Sequence, residues 1–259
     1  MIITPFAFMA SQAAGVWSPA DFTDVKYWWT ADAGVTESGG NVTAWADQIA
    51  GFSLTGANNP TLTTSATLNG ENVIATNGTT SYLYSAGLIS SQAVNADLTI
   101  LSVINLINTR TGGVFMGAVA IGAGRRWWVD TFSGLRMFNE GYPQTGNVTT
   151  LESPAVTGAK ALKLRYDSSA GDGFYAIDTL TETSFATGGT TGTNDWGGVS
   201  KNPSISIGAT MDDNGGAVFG GRYVQVEVAE QVWIENTPTT QEMNDWKTYV
   251  NNKYGTIIS

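Results

Sequence analysis

Between Val25 and Val232 the chain alternates short β-type runs with clusters of Gly, Asn, Asp and Thr. Leu98-Thr-Ile-Leu-Ser-Val-Ile104 and Arg126-Trp-Trp-Val129 are dense apolar runs. Ala161-Leu-Lys-Leu-Arg-Tyr166, Ser204-Ile-Ser-Ile207 and Tyr223-Val-Gln-Val-Glu-Val228 alternate apolar and polar residues. A period of two marks strands with one buried face. Asp212-Asp-Asn-Gly-Gly216 reads as a turn between two of them. Many short strands divided by turn residues predict an all-β sandwich.

Helical signals stand only at the two ends of this pattern. Ser18 suits an N-cap, Pro19 the first helical position, and Asp21 the positive end of a helix dipole. Trp17 and Phe22 fall at N′ and N4, the spacing of a hydrophobic staple. Near the C-terminus, Thr239-Thr-Gln-Glu242 is a capping box. Met243, Trp246, Tyr249, Val250 and Tyr254 then recur at helical spacing, and Gly255 is placed to end the helix. That apolar face should lie against the sandwich. Residues 1–16 are apolar, lack a basic n-region and contain Pro5, so they read as an arm rather than a signal peptide. The arm is expected to pack on its own domain or to dock on a partner through Ile2, Ile3, Phe6 and Phe8.

Composition narrows the chemistry. With no His and no Cys, the chain lacks a Ser-His-Asp triad, thiol nucleophiles, disulfides and imidazole or thiolate metal sites. Twelve basic residues against 22 acidic ones give a net charge of −10, which opposes binding to nucleic acid or to an anionic membrane. No apolar run reaches the roughly 18 residues of a transmembrane helix. Charged residues make up only 13% of the chain, so its surface is either rich in Ser, Thr, Asn and Gly or covered by neighbours.

The order of features resembles bacterial and phage proteins with a laminin-G-like, concanavalin-A-like jelly roll. The resemblance runs from Trp17-Ser-Pro-Ala-Asp-Phe22 and Tyr27-Trp-Trp-Thr-Ala-Asp32 through Val42-Thr-Ala-Trp45 and Asp47. It continues in Leu54-Thr55, Pro60-Thr61, Leu68-Asn-Gly70, Ile207-Gly-Ala209, Phe219-Gly220, Ala229-Glu230 and Lys253-Tyr-Gly255. It implies a two-sheet antiparallel jelly-roll sandwich over residues 17–259, with a short N-terminal helix and one C-terminal α-helix. Domains of this kind serve as lectins, adhesion modules, accessory parts of enzymes and virion decorations, so fold does not choose a function. The arm at 1–16 resembles the virion-anchoring starts of phage appendage or capsid-decorating proteins.

Candidate residues follow. Related glucanases use a Glu-x-Asp-x-x-Glu strand, which this chain lacks, and retaining hydrolysis needs two carboxyls roughly 5 Å apart. Glu227 and Glu230, three apart, are expected on opposite faces of a regular strand. If Val224, Val226 and Val228 face the core, alternation turns Glu230 inward too, toward backbone or an Arg such as Arg165 or Arg222. Asp212, Asp213 and Asn214 offer the hard oxygens Ca²⁺ takes, in a sequence that is also ordinary turn chemistry; Asp32 and Asp47 are weaker candidates. No other cofactor is expected. Each doublet, Trp28-Trp29 and Trp127-Trp128, should send one ring into the core and one outward, where it is covered or free to stack a sugar. Arg126, Trp127, Trp128 and Trp196 are the candidate glycan contacts, the last within a Gly/Thr-rich stretch at 187–202.

The leading expectation is a non-enzymatic protein on a bacteriophage virion surface, made in the host cytoplasm and oligomeric in its assembly. Its partners are then capsid or tail subunits. The alternative is a carbohydrate-binding adhesin recognising host glycans, and a glycoside hydrolase comes third.

Overall fold

A computed structural model describes residues 16–85, 97–108, 114–120, 125–130, 135–141, 145–152, 157–167, 172–185, 204–211 and 218–259. In chain order its strands are β1 (Val25–Thr30), β2 (Val35–Ser38), β3 (Asn41–Ala46), β4 (Ser53–Ala57), β5 (Thr61–Ser65), β6 (Glu71–Ala75) and β7 (Tyr82–Ser85). Then come β8 (Leu98–Leu106), β9 (Val114–Ala120), β10 (Arg125–Asp130), β11 (Leu135–Gly141), β12 (Thr145–Glu152), β13 (Gly158–Asp167), β14 (Asp172–Ile177) and β15 (Thr183–Phe185). The last are β16 (Ser204–Ile207), β17 (Ala209–Met211), β18 (Val218–Tyr223), β19 (Val226–Ile234) and the helix α1 (Thr240–Tyr254). Residues 1–15, including Ile2, Ile3, Phe6 and Phe8, lie outside the described residues.

Two antiparallel sheets form the sandwich, as expected. The first has eight strands in the order β15-β14-β13-β8-β19-β6-β5, with β1 also pairing β19. The second has nine, in the order β12-β11-β10-β9-β16-β7-β4-β3-β2. Between them Trp29, Trp45, Leu54, Leu83, Ile104, Leu164, Ile205 and Trp233 pack into one core. A second core lies on the outer face of the eight-stranded sheet. There Leu101, Val103, Val232 and Ile234 meet Met243, Trp246, Val250 and Tyr254 of α1. Every residue of β8 is buried, because both of its faces are covered. This accounts for Leu98–Ile104 reading as a continuous apolar run rather than an alternating one. The Trp28-Trp29 doublet divides in the same way, with Trp29 in the sandwich and Trp28 under the helix.

The two chain ends lock together. Pro19–Asp21 is a short 3-10 turn, with the Ser18 backbone N–H donating to Asp21 at 2.7 Å. The Trp17 and Phe22 rings meet edge to face at 5.1 Å, the predicted staple. Trp17 also reaches Tyr249 at 5.8 Å, and Phe22 reaches Trp246 at 6.3 Å. The capping box at the helix start forms as expected, with the Thr239 N–H donating to Glu242 at 2.7 Å and the Glu242 N–H to the Thr239 hydroxyl at 3.2 Å. The same Glu242 carboxylate accepts the Thr23 backbone N–H at 2.7 Å, tying the helix to the chain before β1. Among the described residues no helix is long and apolar enough to cross a membrane.

These contacts set two expectations. Trp246→Ala empties the middle of the helix layer and should cost about 3–5 kcal/mol, read from the denaturant midpoint at unchanged slope. Burial tends to raise Glu242, but the N–H groups of Thr23 and Thr239 outweigh it and hold the carboxyl down to about 2. A depressed carboxyl contributes stability above its unfolded value and loses it as pH falls through the folded one. Melting temperature should therefore drop between pH 4.5 and about 2, and Glu242→Gln should flatten that slope.

Candidate functional site

Two places in the fold bring polar or aromatic side chains together, and the first is centred on Glu230. Against β8, Val228 pairs Ile104 and Glu230 pairs Val103, which leaves Ala229 as an extra residue. This bulge reverses the alternation. Upstream, Val224, Val226 and Val228 face the sandwich core as expected. Beyond the bulge, Glu230 joins Val232 and Ile234 beneath α1 instead of entering the core. Glu227 and Glu230 thus share a face, where regular alternation puts them on opposite ones.

Neither Arg165 nor Arg222 is the partner of Glu230. Its carboxylate accepts from Trp28 Nε1 at 2.9 Å, Tyr249 Oη at 2.7 Å and Tyr254 Oη at 2.8 Å. Lys253 Nζ stands 3.6 Å away, donates to Tyr249 Oη at 3.0 Å and pairs with Asp32 at 2.8 Å. Burial pushes the Glu230 carboxyl up, while Lys253 and the three hydrogen bonds pull it back. Burial and the neighbouring carboxylate also raise both tyrosines, which therefore remain hydrogen-bond donors. Arg165 instead forks onto Glu182, with Nε–Oε1 at 2.9 Å and Nη2–Oε2 at 2.7 Å, beside Lys163.

Glu230 exposes none of its surface, so no substrate reaches it, and Glu227 is engaged by Asn105 at 2.7 Å. This cluster fastens the helix to the sheet. A cavity of about 330 Å³ opens beside it, lined by Trp17, Tyr249 and Lys253, whose ammonium is already held by Asp32. Asp47, also weighed for Ca²⁺, is buried and accepts backbone N–H groups from Ile49, Ala50 and Phe52, which shapes the turn before β4. Among the described residues no three acidic side chains gather as metal ligands. Asp212, Asp213 and Asn214 lie outside them.

The second place is the outer face of the nine-stranded sheet. Leu83 and Ile205 point into the core, so their strand neighbours, half-buried Tyr84 and fully buried Ser206, lie on the opposite face. Register extends this row across every strand of the sheet. Thr36, Ala44, Thr55 and Tyr84 follow one another on β2, β3, β4 and β7. Ser206, Gly117, Trp128, Phe138 and Val148 continue it on β16, β9, β10, β11 and β12. No member of the row is charged. Tyr84 is half-buried and its ring lies 5.5 Å from that of Tyr82, which is 6.2 Å from Tyr223.

Gly208 places that third ring. At φ +88° it turns the chain out of β16, and a Cβ there would lie 2.6 Å from Thr76. The Thr76 hydroxyl donates to the Val224 carbonyl at 2.8 Å and accepts the Val226 N–H at 3.1 Å. This fixes the end of β18 beside β7.

The register also sorts the predicted glycan residues. Trp128 belongs to the Tyr84 row, and Trp127 shares a row with Ala118 and the core residue Ile205. Arg126 stands one row from Trp128, opposite Glu140 and Val119. Trp196 lies outside the described residues. Sequence patterning does not single out Tyr82, Tyr84 or Tyr223; the alternation in Tyr82-Leu-Tyr-Ser85 is their only signal.

No family model and no curated protein matches the chain. Solved structures do. A structure of botulinum neurotoxin type C, which depends on interaction with two ganglioside molecules to enter cells, superposes with a TM-score of 0.59 at 9% identity, covering 90% of this chain and 53% of that one. A botulinum neurotoxin DC binding domain in complex with SialylT gives 0.56 at 8% identity, covering 91% and 52%. Trypanosoma rangeli sialidase in complex with sialic acid gives 0.53 at 12%, covering 88% and 33%. The chain shares their fold. It spans about half the length of the toxin chains and a third of the sialidase, and at these identities the likeness is one of fold alone.

Truncating Glu230 tests its role as a fastener. Glu230→Ala leaves two tyrosine hydroxyls and an indole N–H without their acceptor, while Asp32 still pairs Lys253. It should cost about 3–5 kcal/mol of unfolding free energy, measured by urea titration of tryptophan fluorescence.

Proposed function

We propose that this chain is a carbohydrate-binding module whose receiving surface is the outer face of the nine-stranded sheet, and that it binds without hydrolysing. One observation carries this reading: the cross-strand row that sets half-buried Tyr84 beside exposed Thr55 and Thr36, with no charged residue among them. Aromatic faces beside hydroxyl groups suit pyranose rings, whose C–H faces are apolar and whose edges are polar. A net charge of −10 leaves a neutral or weakly charged ligand as the natural partner. The fold is also that of proteins solved with, or dependent on, gangliosides, SialylT and sialic acid, which supports the reading without assigning their ligands to this chain. Glu230 is sealed under α1, so it gives no support to hydrolysis.

The reading as a virion component rests on residues 1–16. Residues 1–15 lie outside the described residues, and the uncharged aromatic row favours glycan binding as the first function to test.

On a glycan array the chain should bind a restricted set of saccharides. Tyr84→Ala should weaken that binding roughly tenfold or more, with the melting temperature within a few degrees of the parent. An array without signal, or one unchanged by Tyr84→Ala, overturns the proposal.

A further inference from the structure

We propose that the groove between Trp17 and α1 is a second saccharide site, separate from the tyrosine face and sized for one or two neutral sugar rings. The groove is the cavity of about 330 Å³ beside the Glu230 cluster. Ligand pockets begin near roughly 300 Å³, so its room suits a short ligand rather than a long chain. Trp17 and Tyr249 line it with aromatic surface, and Asp245, Thr248, Asn252 and Lys253 line it with polar groups. Asp245, Thr248 and Asn252 stand at i, i+3 and i+7 of α1. They form one stripe along roughly 10 Å of helix.

Hydrogen-bonding capacity is left over along that stripe. Asn252 is exposed, and its side-chain amide has no partner among the described residues. Asp245 accepts one hydrogen bond, from Gln241 Nε2 at 3.0 Å, and has no ion pair among the described residues. The Thr248 hydroxyl donates to the Asn244 carbonyl at 2.9 Å, which leaves its oxygen open as an acceptor. A carboxylate, a hydroxyl and an amide thus share a groove with an indole. A sugar meets both kinds of surface, laying its C–H face on the ring and turning its hydroxyls to the stripe.

Charge sets the class of ligand. Lys253 already commits its ammonium to Asp32 at 2.8 Å and to Tyr249 Oη at 3.0 Å, so it offers little to an acidic sugar. Asp245 repels such a ligand outright. A cationic ligand is disfavoured as well, because Lys253 Nζ itself stands 5.3 Å over the Tyr249 ring. A neutral, hydroxyl-rich molecule meets neither penalty. The aromatic walls are also held from behind. Tyr249 Oη donates to Glu230 at 2.7 Å, and Trp17 packs on Phe22 at 5.1 Å and on Tyr249 at 5.8 Å. Glu230 is thereby a positioning residue for this groove as well as a fastener of the helix.

The test follows the Trp17 indole N–H signal of the whole chain by proton–nitrogen correlation NMR, assigned by its loss in Trp17→Phe. The titrants are methyl glycosides of glucose, galactose, mannose and N-acetylglucosamine, with choline and acetate as charged probes. At least one glycoside should shift the signal saturably, with a dissociation constant in the millimolar range. Asn252→Ala and Asp245→Asn should each weaken that binding roughly fivefold or more, with the melting temperature within a few degrees of the parent. In Tyr84→Ala the Trp17 response should keep its parental affinity even as outer-face binding falls, so the two sites fail separately. The groove site is overturned by no shift with any glycoside, by a shift unchanged in both helix variants, or by one that choline or acetate reproduces. Each of these leaves the outer-face reading standing. A response lost in Tyr84→Ala overturns it too, because a single site then accounts for both.

Discussion

The structure depends on covering one sheet twice. β8 and β19 are buried on both faces, against the second sheet on one side and α1 on the other. A strand in that position needs apolar residues on both sides, and a bulge is a cheap way to change which residues serve which side. Ala229 makes that change. It turns Glu230 to the helix side, where three side-chain donors and Lys253 converge on it. Burying a carboxylate costs several kcal/mol unless its hydrogen bonds are made well. Here the donors come from β1 and from two turns of α1, so those elements reach full stability only in one mutual register.

The same arrangement links the termini. The Trp17–Phe22 staple, the Phe22–Trp246 contact and the bond from Thr23 to Glu242 place the first described residues on the last helix. The helix layer therefore depends on both ends of the chain at once, through contacts of more than 200 residues in sequence separation. Forming contacts so distant costs loop-closure entropy before the contact itself is gained.

Covering the first sheet also decides where a ligand can be received. With α1 on its outer face, the broad surface among the described residues is the outer face of the second sheet. Its central row holds Thr, Ala, Tyr, Ser and Gly, with Tyr84 half-buried and Ser206 fully buried, while Arg126 and Glu140 stand one row away. The uncharged row is a product of register: its nine members come from nine strands scattered between Thr36 and Ser206 in sequence.

Local patterns suffice for the strands, the staple, the capping box and the apolar stripe of α1, because each depends on residues within one turn or one strand. The absence of His and Cys likewise excludes whole classes of chemistry whatever the fold. Tertiary structure alone decides the rest. A bulge is defined against a partner strand, so the facing of Glu230, its tyrosine and lysine partners, and its shared face with Glu227 are invisible in Val224-Gln-Val-Glu-Val-Ala-Glu230. The row through Tyr84, Ser206 and Trp128 is hidden for the same reason: alternation says which residues share a face within a strand, and only pairing says which strands stand side by side.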